Sequence, residues 1–267
     1  GGATGPIVRG VLHSQARGRQ VRWAVAYPPG SSTDAALPVV LVLHGRSGDS
    51  GQAFGSHGLH RFLADAVRTG TPPFAMASID GGKHTYWHRR ADGDDPQAML
   101  LEEFLPLLDQ RGLRTDRFGL TGWSMGGYGA LLLASRVPER VSAVAVDAAA
   151  LWRRAADTAP GAFDGPQDFA AHDVMGHLER LSGLPLRVGC GRSDPFIATN
   201  RALVAALPRT EHAFPRGGHN TGCWNLLRPG DVRFLGNHLA QASARANRGW
   251  CAVLRVAFAR GGMPRGS

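Results

Sequence analysis

Residues Pro38 to His44 read Pro-Val-Val-Leu-Val-Leu-His, and this run limits the fold more than any other feature of the chain. β-Branched and aliphatic residues follow one another from Val39 to Leu43 with no polar alternation, and Gly45 closes the run. That pattern marks a strand covered on both faces. Such strands belong to mostly parallel sheets, whose crossover helices lie over both sides. Further buried strands are predicted at Phe74 to Ile79, Arg117 to Thr121, Val141 to Asp147 and Leu186 to Gly189. Between them lie predicted helices. Gly58 to Thr69 carries Leu59, Phe62, Leu63, Ala66 and Val67 at helical spacing. Gln97 to Gln110 is amphipathic despite Pro106, and Gly126 to Arg136 is rich in small residues. Strands alternating with helices predict an α/β fold, a parallel sheet with helices on both faces.

The chain opens differently. Pro6 to His13 and Arg22 to Tyr27 read as an antiparallel hairpin around the polar turn Ser14 to Arg19, closed by Pro28 to Ser32. Residues 83–96 are polar and aromatic and read as a long loop. Residues 148–184 are irregular and fall between two strands, the position of a lid or other insertion. Glu211 to Phe214 is a last short strand. A chain of 267 residues, 43% hydrophobic, suffices for one core, so residues 1–240 are expected to form one domain. Residues 241–267 are Arg- and Gly-rich with one apolar patch, Trp250 to Phe258, and are expected to be a basic tail or a final helix. The longest apolar runs, Val39 to Leu43 and Ala130 to Ala134, are too short to span a bilayer.

Gly122-Trp123-Ser124-Met125-Gly126-Gly127 lies between a predicted strand and a predicted helix. A Gly-x-Ser-x-Gly sequence in that context makes a tight turn that lifts the serine oxygen above the sheet edge. Side chains in place of Gly122 and Gly126 would collide with the neighbouring strand and helix. An alcohol is a poor nucleophile at neutral pH and needs an imidazole to take its proton. His219, in a glycine-rich loop after the last short strand, is the candidate base. His212 lies within the strand, His172 and His177 precede the acid, and His44 ends a central strand. The acid that orients the imidazole is Asp194, in a turn after Leu186 to Gly189; Asp147, ending the preceding strand, is its rival. The order serine, acid, histidine is that of α/β-hydrolases. In that fold the backbone N–H groups of Met125 and of Arg46, after His44-Gly45, are the expected oxyanion donors.

These stretches resemble the esterase D family of α/β-hydrolases, which includes S-formylglutathione hydrolases, feruloyl and siderophore esterases and the antigen 85 mycolyltransferases. The resemblance spans roughly residues 8–240. It rests on Ser14 to Arg19, Leu43-His44-Gly45, Gly122 to Gly127, Val137 to Val141, Ser193 to Phe196, and Gly217-Gly218-His219 with Trp224. It implies the same triad and oxyanion donors. Arg46 departs from the pattern, since a smaller or apolar residue often follows that glycine; its side chain brings charge to the mouth of the site. The expected activity is carboxylic ester hydrolysis through an acyl-enzyme on Ser124. The alternatives are acyl transfer to a carbohydrate or lipid alcohol and a noncatalytic hydrolase scaffold. His44, Gly45, Lys83, Trp87, Trp123 and Trp152 are the candidate substrate contacts; Lys83 and Trp87 follow a central strand at the catalytic face. The substrate is expected to be a small-molecule or lipid ester, and the chemistry calls for no cofactor.

The net charge is +9, and more than half of it comes from Arg245, Arg248, Arg255, Arg260 and Arg265 in a stretch without acids. Lys83 is the sole lysine, and no basic stripe interleaved with aromatics appears, which argues against nucleic-acid binding. Weak association with an anionic envelope surface is the partner expectation that the charge supports. His84 with His88 and His57 with His60 have helical spacing but lack a third ligand, so no metal site is expected. Cys190 and Cys223 fall beside the acid and base loops, as a disulfide or as two small buried residues. The first residue is Gly1 rather than Met, which together with the cysteines and the antigen 85 resemblance leads to an expectation of export to the envelope or medium, with a cytoplasmic esterase as the alternative.

Overall fold

The computed structural model describes the backbone of residues 2–260 and the side chains of residues 2–249. Eight strands form one sheet. They are β1 (Ile7–Ser14), β2 (Arg19–Ala26), β3 (Pro38–Leu43), β4 (Ala75–Ile79), β5 (Arg114–Trp123), β6 (Val141–Asp147), β7 (Leu186–Gly189) and β8 (Glu211–Ala213). Their order is β1-β2-β4-β3-β5-β6-β7-β8. β1 and β2 pair antiparallel, β2 joins β4 antiparallel, and every pair from β4 to β8 is parallel. This is the α/β-hydrolase fold with its N-terminal hairpin.

The apolar run that set the expectation splits between two cores. Val39, Leu41 and Leu43 face one side of the sheet, with Phe104, Leu108 and Leu131. Val40 and Val42 face the other, with Leu63, Leu227 and Leu235. Helices α1 (Leu59–Arg68), α2 (residues 96–110), α3 (Met125–Arg136), α4 (Ile197–Ala206) and α5 (Thr221–Arg260) supply those layers. Within α2 the residues Met99–Phe104 widen into a π-helical stretch ahead of Leu105–Gln110. Pro106 then sits at the start of a new helical turn, where its missing N–H matters least.

Two parts of the fold lie outside the expected elements. α4 contains Thr199 and Asn200, which are poor interior helix residues; Asn200 is fully buried and donates to the Ala149 carbonyl at 3.0 Å. α5 begins two residues after His219 and passes through Pro229 and Gly230. Gly230 is tolerated because the Arg187 guanidinium fills the space a Cβ would need. Residues 241–260 continue α5. The side chains of the patch Trp250 to Phe258, and residues 261–267, lie outside the described residues. Residues 148–184 fold down as short turns and the helix Pro166–Ala171, burying Ala162, Phe169 and Leu181. No helix among the described residues is long and apolar enough to cross a membrane.

The register aligns the strand ends that matter. Leu43 pairs with Gly122, Trp123 with Asp147, and Asp147 with Gly189. The loops after β3, β5, β7 and β8 therefore open on one edge of the sheet.

Candidate active site

Ser124 occupies the turn between β5 and α3 with φ +54° and ψ −117°, a left-handed conformation that a non-glycine residue adopts only when its surroundings force it. They do. The Ser124 N–H donates to the Asp147 carbonyl at 3.0 Å. The Ser124 carbonyl accepts from Tyr128 N–H at 3.1 Å and Ala150 N–H at 3.0 Å. A Cβ on Gly126 would run into the carbonyls of Leu43 and His44, and one on Gly122 into the carbonyl of Gly126. The strand–turn–helix packing thus requires both glycines and holds the serine oxygen clear of the sheet.

The acid and base loops are laced together. Ser193 N–H donates to the Gly217 carbonyl and Arg192 N–H to the Pro215 carbonyl, both at 2.9 Å. The Asp194 side chain is fully buried. Its Oδ1 accepts from Phe196 N–H at 2.8 Å, and its Oδ2 lies 2.8 Å from Nδ1 of His219. An ionised carboxylate only accepts, so Nδ1 of His219 carries the proton and Nε2 offers a lone pair. That Nε2 lies 2.8 Å from Oγ of Ser124. Residues 124, 194 and 219, far apart in sequence, form one hydrogen-bonded chain. The imidazole is wedged edge-on against Trp224 at 5.2 Å and beside Phe196 at 5.6 Å.

Asp147 does not join this chain. Its carboxyl turns under the sheet toward Asp231 and α5, is buried, and has an Oδ1 without a partner. Burial first, and the neighbouring Asp231 second, push its pKa well up, which favours its protonated form. Only its carbonyl serves the turn.

Met125 is the first residue of α3, so its N–H has no acceptor within the helix. Arg46 follows buried Gly45 and is exposed; among the described residues its N–H has no acceptor. Both amides lie at the serine's edge of the sheet, one at the start of α3 and one in the loop after β3.

The six candidate substrate contacts divide. His44 is fully buried; Nε2 accepts from Gly81 N–H at 3.0 Å, and its carbonyl accepts from the Trp87 indole N–H at 3.1 Å. Trp87 is 1% exposed and packs on Gly129. Trp123 is buried under the serine turn, stacked at 4.0 Å on His57, with its indole edge against Gly45. Among the expected substrate contacts, His44, Gly45, Trp87 and Trp123 are buried beneath the loops and present almost no surface. Their apolar or ring-stacked neighbours explain the burial. Lys83 is exposed, and Trp152 is half-exposed, lining a cleft of about 690 Å³ with Leu151, Phe196 and Thr199. Sequence reasoning missed Phe196 and Phe163, which pack with Trp152 and the buried ring of Tyr86 into one aromatic cluster: Tyr86 to Trp152 is 5.7 Å, Trp152 to Phe196 5.5 Å, and Tyr86 to Phe163 6.3 Å. Phe196 was legible as part of the acid turn; nothing in the sequence links it to residues 86 and 163.

The disulfide alternative for Cys190 and Cys223 is also corrected. Both are buried free thiols. Cys190 is enclosed in the core at the end of β7, while Cys223 sits in the first turn of α5 with Sγ 3.8 Å from the Arg216 carbonyl. Burial and the nearby Asp194 carboxylate push both thiol pKa values up, which keeps them protonated.

Three side chains elsewhere come close enough to share a cation: His88, Asp168 and His172. His88 has Nδ1 and Nε2 each 2.9 Å from a backbone carbonyl, of Arg89 and Ala162, and its neutral ring can donate to one of them. The His88 and His172 rings lie 4.3 Å apart, and the cluster ties the loop at 83–96 to the segment at 161–172.

The fold and the serine–imidazole–carboxylate chain define an α/β-hydrolase. Residues 14–227 match the family described as "Putative esterase", and the chain belongs to that family. It is an enzyme of the esterase class, acting on carboxylic esters. No curated protein sequence matches. Among solved structures, a ferulic acid esterase has a TM-score of 0.76 at 16% identity, over 87% of this chain and 98% of its own. The fluorophosphonate-binding serine hydrolase F of Staphylococcus aureus has a TM-score of 0.73 at 18% identity, over 88% and 99%. An S-formylglutathione hydrolase from Agrobacterium tumefaciens has a TM-score of 0.69 at 16% identity, over 87% and 95%. This is the esterase D-like group that the motifs resemble.

Proposed function

We propose that the chain hydrolyses carboxylic esters through an acyl-enzyme on Ser124. The observation that carries the reading is the continuous hydrogen-bonded chain from Ser124 Oγ through His219 to buried Asp194. His219 takes the hydroxyl proton at Nε2 as Oγ attacks the ester carbonyl. Asp194 keeps the proton on Nδ1 and stabilises the imidazolium that forms. The developing oxyanion is met by the N–H groups of Met125 and Arg46, each contributing about 3–4 kcal/mol to the transition state. His219 then returns its proton to the departing alkoxide. In the second half it deprotonates water, which attacks the acyl carbon and releases the acid and Ser124.

The test is p-nitrophenyl ester hydrolysis, from acetate to palmitate, by wild type and Ser124→Ala, with fluorophosphonate labelling of both. The reading predicts a loss of about 10⁴-fold or more in the variant and label on wild type alone. Equal rates and equal labelling would sink it. Trp152 and Phe196, which line the cleft, favour an acyl group with an aromatic or short apolar body.

A further inference from the structure

We propose that the Arg46 guanidinium makes this site select esters whose acid component carries an anionic group, a carboxylate in the simplest case. This rests on the reading of Ser124 as the nucleophile. The loop bearing Arg46 is fixed from several sides. Ser47 N–H donates to the Lys83 carbonyl at 2.7 Å and Gly48 N–H to the Gly45 carbonyl at 3.1 Å. His44 below is held through both its ring and its carbonyl. Ser47 itself has φ +63°. A loop held this way leaves Arg46 exposed at the serine's edge of the sheet.

The charge there is uncompensated. Asp194 pairs with His219, Asp80 and Asp49 with Arg22, Asp157 with Arg154, and Asp164 with Arg90, none with Arg46. Neither Arg46 nor neighbouring Lys83 has an acidic partner among the described residues. A guanidinium matches a carboxylate in a two-pronged fashion, so an exposed arginine on the loop expected to supply an oxyanion donor suits an ester with an anionic acid end.

A second observation points to the same place. Tyr86 and Trp87 are consecutive non-glycine residues with φ +51° and +59°, and such strain gathers at ligand clamps. Trp87 anchors His44, and Tyr86 turns its hydroxyl toward Arg46, whose charge offsets part of the rise that burial gives the phenol. From beneath, the buried Tyr86 ring also packs on Trp152, which with Phe196 forms the aromatic wall beside His219. Cation and wall together fit an acid with an apolar or aromatic body and an anionic end.

The experiment compares kcat/KM for the p-nitrophenyl monoester of glutarate with that for p-nitrophenyl valerate, a neutral ester of similar size. It uses wild type, Arg46→Gln and Arg46→Lys, at low and high salt, and labels Ser124 with a fluorophosphonate in each. Losses common to both esters report on the loop and cancel in the ratio. The ratio is expected to favour the anionic ester in wild type, to fall about tenfold in Arg46→Gln, and to be partly kept in Arg46→Lys. Salt should lower it in wild type and not in Arg46→Gln. If Ser124 is labelled and the ratio is the same in wild type and Arg46→Gln, the assignment to Arg46 is wrong and the esterase reading stands. If Ser124 is not labelled and neither ester is cleaved, both fall.

Discussion

Asp147 and Asp194 stand at the ends of neighbouring strands, and environment alone separates their roles. Asp194 accepts a backbone N–H and the His219 ring, so its charge has partners. Asp147 faces another carboxyl, Asp231, whose Oδ1 lies 2.8 Å from the Arg187 guanidinium and whose pKa burial also raises. Replacing Asp194 with Asn leaves the shape but favours the wrong imidazole tautomer. Its kcat is expected to fall about 10⁴-fold in single-turnover assays. Asp147→Asn should keep wild-type kcat. It should also raise stability at pH 7. Burial and Asp231 raise the folded pKa of Asp147, so its contribution is complete below the ordinary carboxylate pKa and is lost as pH rises, because the unfolded chain releases a proton that the folded chain retains. Asn has no proton to release. Urea unfolding at pH 4 and pH 7 checks this: a variant that gains nothing at pH 7 relative to pH 4 would show Asp147 to be ionised.

At the scale of elements, the legible parts were those where burial on both faces left a pattern. The five central strands and the turn at Gly122 to Gly127 were read correctly because strand, glycine and small-residue helix each carry a local signature. α4 was missed because its Asn200 is satisfied by Ala149, a tertiary partner that sequence does not reveal. The start of α5 was missed because Pro229 and Gly230 read as breakers, while their cost is offset by packing against Arg187 and the sheet. The hydrogen-bonded chain of Ser124, His219 and Asp194 was legible through strand ends and chain order. The buried status of Trp87 and Trp123 was not, since an aromatic beside a motif looks the same whether it lies above the sheet edge or below it. The close approach of α3 to β3 gives a prediction at this scale. Gly126→Ala places a methyl against the Leu43 and His44 carbonyls, which are backbone and cannot rotate away. It should destabilise the fold by about 3 kcal/mol or more and abolish activity. Gly161→Ala, at a surface turn with φ +78° and open space, should cost about 1 kcal/mol and leave activity intact. Chemical denaturation of the two variants side by side decides it.

Over the whole molecule, the face of the sheet under α5 holds charges that most cores exclude. Arg228 donates to the His57 carbonyl at 3.2 Å and to Nδ1 of His57, and lies over Trp123 at 5.7 Å. His57 in turn stacks between Trp123 and Trp224, the second of which abuts His219. This network joins the helix to the underside of the serine turn, so its protonation bears on the stability of the molecule. Burial first, and the Arg228 charge second, lower the His57 pKa from 6.5 to about 4. The neutral ring is the one the fold accepts. Above pH 6.5 both folded and unfolded chains hold it neutral, and its contribution is complete. As pH falls toward 4 the unfolded chain takes up a proton that the folded chain refuses, and stability is lost across that window. The loss from this one group is about 2–3 kcal/mol. His57→Phe keeps the stack on Trp123 and removes the titration, although it leaves one Arg228 donor without its acceptor. Its stability at pH 7 is therefore expected to be lower than that of wild type, while its decline from pH 7 to pH 4 should be shallower by that 2–3 kcal/mol. Urea unfolding at half-unit pH steps measures both curves, and parallel curves would mean that His57 titrates alike in the folded and unfolded chains.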